Sequence, residues 1–380
     1  MEKSFVHLHV HSEYSMLDGA SRIDEIVSAA KELGMPAIAI TDHGVMYANL
    51  QLYKACKNAG IKAILGCEVY VAPRSRFDKE AGIDNENFHF VLLAKNENGY
   101  KNLIKLVSMA YTEGFYYRPR VDKKILKEYS SDLIAMTACI GGEVPQYILR
   151  GNIEKAERSL LEYIDIFGKE DFYLEVQNHG MKEEAEVNKV LFDFAKKHGL
   201  KTIATNDSHY TKKSDAKSHD ILLCVQTGKT VDDESRMKFD SDEFYIKSYE
   251  EMLDCFPDNP ESIHNTIEIA EKCNVVFDFS RSTLPDPGVP QNISPDQHMI
   301  NESMKGLLIR LGVDKLDDEY QERFDFEAKV INDCGFPLYM LIVRDFTDFA
   351  KQNGIYVGVR GSAASSLIGY GLGISDVDPV

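Results

Sequence analysis

The sequence predicts an α/β fold in which a (β/α) barrel is followed by a mainly helical segment. From residue 1 to about 275, short apolar runs alternate with amphipathic helical patterns, which is typical of strands covered by helices. The stretch STLPDPGVPQNISPDQ interrupts this alternation with prolines, a glycine and polar residues, which favours a domain boundary. Three helical patterns follow, and each ends at a glycine. We therefore expect two domains, residues 1–280 and 281–380.

Seven apolar runs are the predicted strands of the barrel. Their nearly continuous hydrophobicity is expected of strands that are buried on both faces of a mostly parallel sheet. Seven successive units favour closure into a barrel over an open sheet, by analogy with other (β/α) barrels. The runs are residues 5–10, 37–42, 63–72, 88–95, 133–138, 172–177 and 201–207.

Amphipathic helical patterns lie between the runs, as in residues 21–34 and 183–199. Each of the two ends in a glycine, which readily adopts the left-handed backbone that commonly follows a helix. The predicted helices of the second domain are residues 296–312, 320–335 and 339–354. We therefore expect the second domain to be mainly helical.

The composition is that of a globular protein with a strongly acidic balance. Of 380 residues, 44% are hydrophobic and 27% are charged, and the formal net charge is −18. This charge argues against a simple nucleic-acid clamp because it repels phosphates, although bound cations could reverse the sign locally. The basic stretch YYRPRVDKK could contact phosphates, or it could be solvated surface.

Cysteine usage and hydropathy indicate the compartment. The seven cysteines have no C-x-x-C spacing, so we expect free thiols in a reducing environment and no disulfide framework. The sequence contains neither a signal-peptide pattern nor an apolar stretch long enough to span a membrane. The sequence therefore predicts a cytoplasmic protein.

The first predicted strand carries histidines at alternate positions. His7, His9 and His11 lie two residues apart in FVHLHVHSEYSMLDG, and Asp18 follows in the next loop. Residues two apart in a strand point to the same face, so we expect the three imidazoles to lie on one side of the sheet. Neutral imidazoles gathered in this way are typical ligands of a divalent metal ion.

Further residues that can bind a metal occur at or near the ends of later strands. Side chains at the carboxyl ends of barrel strands converge, so we expect a single site, although His89 lies early in its strand and fits this convergence least well. The mixture of imidazole, carboxylate and thiol favours zinc, manganese or iron over calcium. The candidates are Asp42, His43, Glu68, His89, Cys139, Asp207 and His209.

Each of these motifs is weak when it is taken alone. TDHG is also the pattern of an ordinary strand-to-helix turn, and a lone cysteine such as Cys139 is most often a small buried apolar residue. The whole set favours a cluster of two or three metal ions, because so many polar groups would be costly in an apolar core. Such clusters suit phosphoester hydrolysis, in which the metals activate water and stabilise the departing oxygen.

These motifs resemble the PHP family of metal-dependent phosphoesterases. The blocks HVH with the later Asp18, TDH, GCE, FHFVLLA, TACIGGE and NDSH match it, and GFYYRPRVD and YTKKSDAKSHDILLCVQTGKT narrow the resemblance to bacterial replicative DNA polymerases of the C family. The resemblance implies a distorted seven-stranded (β/α) barrel with 3′–5′ exonuclease activity for proofreading. The metal ligands that it implies are His9, His11, Asp18, His43, Glu68, His89, Cys139, Asp207 and His209. The catalytic residues that it implies are His9, His11, Asp18, His43, Glu68, Asp207 and His209.

The second domain resembles the beginning of the palm domain of the same polymerases. Its loop VGVRGSAASS is similar to the family loop that holds the triphosphate of the incoming nucleotide, but it is one residue shorter and has Ser365 in place of a glycine. The resemblance implies nucleotide contacts at Arg360, Gly361 and Ser362. Small residues in such a loop let backbone amides approach phosphate.

The resemblance also suggests what lies outside this sequence. In the family the catalytic aspartates of the palm lie beyond the position of Val380, and Asp376 and Asp378 match a segment upstream of them. We therefore expect a fragment that does not polymerise DNA by itself and that binds DNA weakly. The resemblance implies that the parent protein uses Mg²⁺ and binds the sliding clamp and other replisome subunits.

Two other interpretations remain open at this point. The barrel could be structural, with metal ions that only stabilise the fold, because structural zinc also uses histidine and cysteine. Alternatively, the chain could be a free-standing phosphoesterase that acts on a small molecule, although the palm-like tail argues against this interpretation.

Overall fold

The computed structural model describes residues 4–280 and 284–380, except for the side chain of Ser362. The chain divides into two compact units, Met1–Phe277 and Asp278–Val380. The first unit contains a curled seven-stranded mixed sheet with helices, and the described part of the second unit is mainly helical. The predicted fold class, α/β followed by a helical segment, is confirmed. Within the described ranges, no helix is long and apolar enough to cross a membrane.

Six of the seven predicted runs form strands of the sheet. The strand order is β1-β2-β3-β5-β6-β7, and β4 pairs with β2. Strand β4 has only two residues, so it has no periodicity by which the sequence could reveal it. The strands are β1 Ala37–Ile40, β2 Lys62–Val71, β3 Phe88–Ala94, β4 Arg120–Val121, β5 Leu133–Met136, β6 Phe172–Val176 and β7 Thr202–Ala204.

The sheet is mostly parallel, as predicted, but one antiparallel strand makes it mixed. Strand β3 is antiparallel to both β2 and β5, and Tyr70 lies opposite His89. The other pairs are parallel. The connection explains the difference, because residues 72–87 contain no helix and the chain returns along β2 without a helical crossover.

The first predicted strand is extended but forms isolated bridges instead of a regular ladder. On one side, the Ala39 amide donates to the His7 carbonyl at 3.0 Å, next to β1. On the other side, the His11 amide donates to the carbonyl of Ser208, after β7, at 2.8 Å. This segment therefore lies between the first and last strands of the curled sheet.

Side-chain alternation is interrupted within this segment. Leu8 belongs to the hydrophobic cluster inside the curl, whereas Val10 belongs to the outer cluster, and the chain bends at His9. His7 consequently leaves the face on which His9 lies, and its Nε2 is 2.9 Å from the carbonyl oxygen of Lys247. The prediction that the three histidines share one face is therefore wrong for the first of them.

Helices of the first unit cover the sheet and connect its strands. The patterns predicted at residues 21–34 and 183–199 correspond to α1 and α7, with Gly34 and Gly199 in the left-handed conformation after them. The helices are α1 Ile23–Glu32, α2 Asn49–Ala59, α3 Glu97–Thr112, α4 Lys123–Glu128, α5 Glu143–Leu149, α6 Ile153–Phe167, α7 Lys182–His198, α8 Ala216–Thr227, α9 Tyr249–Cys255 and α10 Pro260–Lys272.

Both faces of the sheet are buried, which explains why the strands are almost continuously apolar. On the outer face, Ile38 and Ile40 of β1 belong to one cluster with Leu52 of α2. On the inner face, Ile64 belongs to a second cluster with Ile269 of α10. Helix α10 thus covers apolar side chains of the inner face.

The second unit has its own hydrophobic core. The three helices predicted from the sequence are confirmed, and the glycines after them all have positive φ angles. The helices are α11 Pro295–Leu311, α12 Asp318–Asp333, α13 Pro337–Gln352 and α14 Leu367–Gly371. The core includes Met299, Leu307, Phe324, Leu341 and Leu367. Because each helix contributes to this core, the unit does not depend on the sheet for its apolar packing.

A fully buried arginine fixes the long loop between β2 and β3. The guanidinium of Arg120 donates to the backbone carbonyls of Gly114 at 3.0 Å, Asp84 at 2.8 Å, Asp78 at 2.8 Å and Arg76 at 3.1 Å. These carbonyls belong to two separate stretches of irregular chain. One side chain therefore satisfies four acceptors that lack partners from regular secondary structure.

We expect Arg120→Lys to lower the free energy of unfolding by about 2–4 kcal/mol, because one ammonium group cannot reach all four carbonyls and leaves buried acceptors unsatisfied. Denaturant unfolding followed by far-ultraviolet circular dichroism measures this loss. Arg150→Lys is the matched control, since Arg150 pairs with Glu86, both side chains are partly exposed, and the replacement should cost much less. Equal losses in the two variants would contradict this account of Arg120.

Candidate metal centre

The candidate ligands meet at one edge of the sheet. His43 follows β1, Cys139 follows β5, and Asp207 follows β7, so the carboxyl ends of three strands contribute. His89 lies at the start of β3, but β3 is antiparallel, so its start lies at this same edge beside Tyr70 of β2. The direction of β3 therefore explains the residue that fitted the predicted convergence least well.

Glu68 is the central residue of the cluster and is completely buried. Its Oε1 lies 2.8 Å from His89 Nδ1 and 3.3 Å from His9 Nε2. Its Oε2 contacts His43 Nδ1 and lies 3.8 Å from His11 Nε2. A bridge between His43 and Glu68 continues the pairing of β1 with β2 and holds the two residues side by side. One carboxylate thus faces four imidazoles.

A second carboxylate, Asp207, lies between the first two candidate histidines. Its Oδ1 is 3.2 Å from His9 Nε2 and 3.0 Å from His11 Nε2. The bridge between Val10 and Ser208 holds the N-terminal segment against the chain that follows β7. Residues almost 200 positions apart in the sequence therefore share one pocket.

The third carboxylate, Asp18, lies at the opposite side of the cluster from the Glu68–His89 contact. Its Oδ2 is 3.0 Å from His43 Nε2, and its Oδ1 is 4.0 Å from His209 Nε2. His219, on α8, lies 2.8 Å from the backbone carbonyl of Asp18 through Nε2. The sequence analysis did not single out His219, because nothing in its helical pattern distinguishes it from a core histidine.

The thiol of Cys139 lies beside His89, with its Sγ 3.6 Å from Nδ1. The amide of Gly141 donates to this sulfur at 3.4 Å, and the His89 amide donates to the Gly141 carbonyl at 3.0 Å. A Cβ atom at Gly142 would lie 2.0 Å from the carbonyl oxygen of Thr137. The paired glycines of TACIGGE therefore permit the tight turn that brings the cysteine to the cluster.

Three overlapping groups of side chains have ligand atoms that lie within 4.8 Å of one another. Because the groups share members, they define adjoining positions for cations. Seven of the nine predicted ligands belong to these groups, and Asp18 and Cys139 lie next to them. Within the described ranges, the groups are His11, His43 and His209; His9, His11 and Asp207; and His43, Glu68 and His89.

Asp42, a candidate ligand in the sequence analysis, has a supporting position instead. Its carboxylate accepts hydrogen bonds from the Ser12 amide at 2.7 Å, from the Ser12 hydroxyl at 2.8 Å and from the Ser15 hydroxyl at 2.7 Å. The Ser15 oxygen also lies 3.0 Å from His11 Nδ1 and accepts from the His43 amide at 3.2 Å. Asp42 therefore orients a serine that positions two candidate ligands.

The sequence analysis also missed Glu175, a buried carboxylate in the middle of β6. Its Oε1 lies 2.6 Å from Nδ1 of His9. The available signal was a glutamate inside the apolar run FYLEVQ, where a charged residue needs a buried partner. This contact extends the cluster to β6, the sixth strand of the sheet that contributes to it.

Electrostatics keep two of the carboxylates ionised. Burial alone would raise the pKa of Glu68, but His89 and His43 hold that pKa well below its usual range. Burial likewise opposes the ionisation of Asp207, and the neighbouring imidazoles, His9 first, lower its pKa well below the usual range. Ionised carboxylates are the form that binds metal ions.

The histidines differ in charge. Burial, together with His43 and His209, lowers the pKa of His11 to about 3, so this imidazole is neutral at pH 7. The pKa of His43 rises to about 10, because Glu68 and Asp18 outweigh the opposing effect of burial. A cation between His43 and these carboxylates would compete with that proton.

Backbone strain accompanies the cluster. Leu17, which precedes Asp18, has a φ angle of 63°, and Ala138, which precedes Cys139, has a φ angle of 62°. Asp207 itself has a φ angle of 41°. Side chains other than glycine rarely adopt such angles, and the surrounding structure must hold them there. The strain therefore lies at or beside three candidate ligands.

The donor set fits bound cations. Buried polar atoms normally make hydrogen bonds, and an exception is explained by an ion or a water molecule. The nitrogens of His9 and His11 lie close to Asp207 without the alignment of a hydrogen bond, as expected of ligands that surround a shared centre. Five buried atoms of the candidate ligands make no hydrogen bond to the described residues, namely His9 Nε2, His11 Nε2, Asp18 Oδ1, Glu68 Oε1 and Asp207 Oδ1.

The candidate nucleotide loop belongs to the second unit. Arg360 is exposed and precedes a short 3₁₀ helix, Gly361–Ser365, and Gly361 has a φ angle of 72°. The side chain of Ser362 lies outside what the structure describes. Nucleotide contacts at these residues therefore stay a prediction.

The two aspartates near residue 380 make local contacts. Asp376 lies 2.9 Å from the Lys351 ammonium and 3.3 Å from the guanidinium of Arg310. Asp378 accepts a hydrogen bond from the hydroxyl of Tyr320 at 2.7 Å. Both side chains thus connect the segment after α14 to the helices of the second unit.

Comparison with known proteins identifies the same two parts of the chain. The PHP domain family matches residues 7–179, and the family described as "Bacterial DNA polymerase III alpha NTPase domain" matches residues 297–380. Both matches agree with the family resemblance of the sequence motifs.

The chain is also similar to curated proteins over its full length. DNA polymerase III subunit alpha of Treponema pallidum is 45% identical and aligns with 99% of this chain and 32% of its own length. The proteins of the same name from Borreliella burgdorferi and Thermus aquaticus are 45% and 38% identical to this chain, respectively. Each aligns with 99% of this chain, and the aligned parts are 33% and 36% of their own lengths. The chain spans about a third of the length of these relatives, and it carries a match to the PHP domain family followed by a match to the bacterial DNA polymerase III alpha NTPase domain family.

Proposed function

We propose that the first unit is a PHP phosphoesterase domain that binds two or three divalent metal ions and removes nucleotides from DNA 3′ ends. The observation that carries this proposal is the convergence of nine potential ligands on a pocket that contains buried polar atoms without hydrogen-bond partners among the described residues. The proposed ligands are His9, His11, Asp18, His43, Glu68, His89, Cys139, Asp207 and His209. Of these, all but His89 and Cys139 are proposed to act in catalysis.

The chemistry of the donors limits the metal. Five imidazoles and one thiol favour zinc, manganese or iron, whereas calcium and magnesium prefer sites built from oxygen atoms. Bound ions of this kind would supply Lewis-acid activation of water and of the scissile phosphate. The carboxylates of Glu68 and Asp207 offset the positive charge of such ions and hold them next to the neutral imidazole of His11.

Exposed aromatic side chains near the site support a nucleic-acid substrate. Tyr70 stacks on His43 with ring centroids 6.3 Å apart, and the guanidinium of Arg118 lies 5.6 Å from the Tyr70 ring. Tyr47 and Tyr117 are 65% and 70% exposed on the adjoining loops. Aromatic rings of this kind stack on unpaired bases, and an arginine beside them can contact the phosphate backbone. A small phosphate ester would not need such a border.

The relatives extend the proposal to a longer protein. Because the similar proteins are named DNA polymerase III subunit alpha, we propose that the second unit begins a polymerase palm that uses Mg²⁺ for DNA synthesis in the cytoplasm. Arg360, Gly361 and Ser362 would contact the incoming nucleotide, and the sliding clamp and other replisome subunits would be partners. The charge of −18 supports weak DNA binding by residues 1–380 alone.

Replacing a proposed ligand should abolish cleavage. In Asp18→Asn and Asp207→Asn, the amide keeps the size of the side chain but binds a cation poorly, so the rate of cleavage should fall about 100-fold or more. The measurement is the shortening of a single-stranded oligonucleotide labelled at its 5′ end, with added Mn²⁺. Elemental analysis of the purified chain should find about two to three metal ions per molecule.

Asp24→Asn is the matched control, because Asp24 is exposed in the first turn of α1 and should tolerate the change. Cleavage that persists in both ligand variants would refute the proposal. A metal-dependent rise in melting temperature without cleavage of DNA would support a structural site instead. Much faster turnover of a small phosphomonoester than of DNA would support a small-molecule phosphoesterase.

Removing an exposed ring should weaken the binding of DNA but spare the chemistry. We expect Tyr47→Ala and Tyr117→Ala each to raise the KM for a single-stranded oligonucleotide about 5-fold or more, because each change removes one stacking surface. Turnover of bis(4-nitrophenyl) phosphate, which is too small to reach these rings, should not change. Tyr339→Ala removes a ring of similar exposure from the second unit and serves as the control. Unchanged KM values in both Tyr47→Ala and Tyr117→Ala would argue against a role of these rings in binding DNA.

A further inference from the structure

The carboxylate of Glu175 contacts the candidate metal centre through a hydrogen bond to His9. Glu175 lies in β6 and is 2% exposed, and its Oε1 is 2.6 Å from Nδ1 of His9. The other ring nitrogen of His9, Nε2, lies 3.2 Å from Asp207 and 3.3 Å from Glu68. His9 therefore stands between a carboxylate behind it and two carboxylates of the cluster in front of it.

Hydrogen bonds hold the Glu175 carboxylate in place. Its Oε1 accepts from the hydroxyl of Thr205 at 2.5 Å and from the amide nitrogen of Gln177 at 3.0 Å. Gln177 also donates to the Thr205 oxygen at 3.1 Å, and the Glu175 amide donates to the hydroxyl oxygen of Thr137 at 2.9 Å. The oxygen that faces His9 is thus held by Thr205, after β7, and by Gln177, after β6, while Thr137, after β5, holds the Glu175 backbone.

This arrangement determines which nitrogen of His9 carries its proton. A carboxylate is an acceptor only, so the contact at 2.6 Å requires that Nδ1 of His9 donates to Glu175. A cation that displaces the proton from Nε2 then meets the lone pair that this nitrogen directs toward Asp207 and Glu68, and an imidazole in this form binds a metal ion. A carboxylate behind a ligating histidine also increases the basicity of the ring.

The supporting acceptor of His9 differs from those of its neighbours. His11 is held through Nδ1 by the hydroxyl of Ser15 at 3.0 Å, and His209 is held by the backbone carbonyl of Asp207 at 2.7 Å. Of these three histidines, His9 is the one whose Nδ1 makes its hydrogen bond to a carboxylate, whereas Nδ1 of His209 lies 3.7 Å from the Asp207 carboxylate. Charge-assisted hydrogen bonds are roughly twice as strong as neutral ones, so we expect His9 to be the most firmly oriented.

We infer that Glu175 is a positioning residue of the metal centre, which fixes the Nδ1–H tautomer of His9 and strengthens metal binding at the position shared by His9, His11 and Asp207. The inference rests on the proposed function, because it requires that this cluster binds a cation. Glu175 does not contact the cation itself in this arrangement.

A second buried histidine–carboxylate pair provides a matched control. His179 Nδ1 lies 2.5 Å from Oε1 of Glu184, and both side chains are buried in the first unit. Nε2 of His179 lies 3.0 Å from the carbonyl oxygen of Asn206, so this ring does not face the cluster. Replacing Glu184 therefore breaks a similar contact without changing a candidate ligand.

The test compares Co²⁺ binding by the whole chain after its metal ions have been removed with a chelator. Glu175→Gln keeps the size of the side chain but loses its charge, and we expect Co²⁺ to bind about 10- to 100-fold more weakly, with altered visible absorption bands. Glu184→Gln should bind Co²⁺ as the wild-type chain does. If Glu175→Gln matches the wild type in both affinity and spectrum, the inference is wrong.

A second measurement needs no substitution. In the wild-type chain loaded with Zn²⁺, long-range ¹H–¹⁵N correlation spectra should find the proton of His9 on Nδ1, and a proton on Nε2 would overturn the inference. Failure of the proposed function is distinguishable from both results. In that case the wild-type chain itself takes up neither Co²⁺ nor Zn²⁺, and the inference falls with it.

Discussion

The burial of ionised carboxylates is the constraint on which the first unit depends. Glu68 has no contact with solvent, and a buried carboxylate is costly unless hydrogen bonds or positive charge replace its lost hydration. His9, His43 and His89 meet this requirement from three different parts of the chain. The sheet must therefore bring those three segments to one point, and its curl and its strand order serve that convergence.

The antiparallel strand β3 connects the cluster of candidate ligands to Tyr70 and Arg118 beside the pocket. Because β3 pairs in the opposite direction to β2, His89 lies opposite Tyr70, two residues beyond Glu68. Tyr70 in turn contacts the rings of His43 and His89 and lies beneath the guanidinium of Arg118. One strand pairing thus links the candidate ligands to the side chains that border the pocket. An all-parallel sheet would place His89 at the far edge.

Local patterns located most of the strands and helices and the residues that converge at the candidate site, but not how the sheet is connected. His43, Glu68 and Asp207 could be found because polar residues in or after apolar strands are unusual. The direction of β3 depends on a long irregular loop that carries no periodic signal. The position of His7 depends on a bend that tertiary contacts impose, and pattern reasoning assumes unbroken alternation. Glu175 has no motif, since its role exists only through a contact 166 residues away in the sequence.

The hydrogen bonds behind the cluster are made within the polypeptide. Ser15 and Glu175 hold His11 and His9 through nitrogens that face away from the shared pocket. The polypeptide therefore fixes the direction of these rings by itself, and metal binding does not have to order them. What a cation adds is neutralisation of the facing carboxylates, so its binding should stabilise the folded chain by linkage. Preorganised ligands and buried carboxylates that face one pocket are thus two consequences of the same packing.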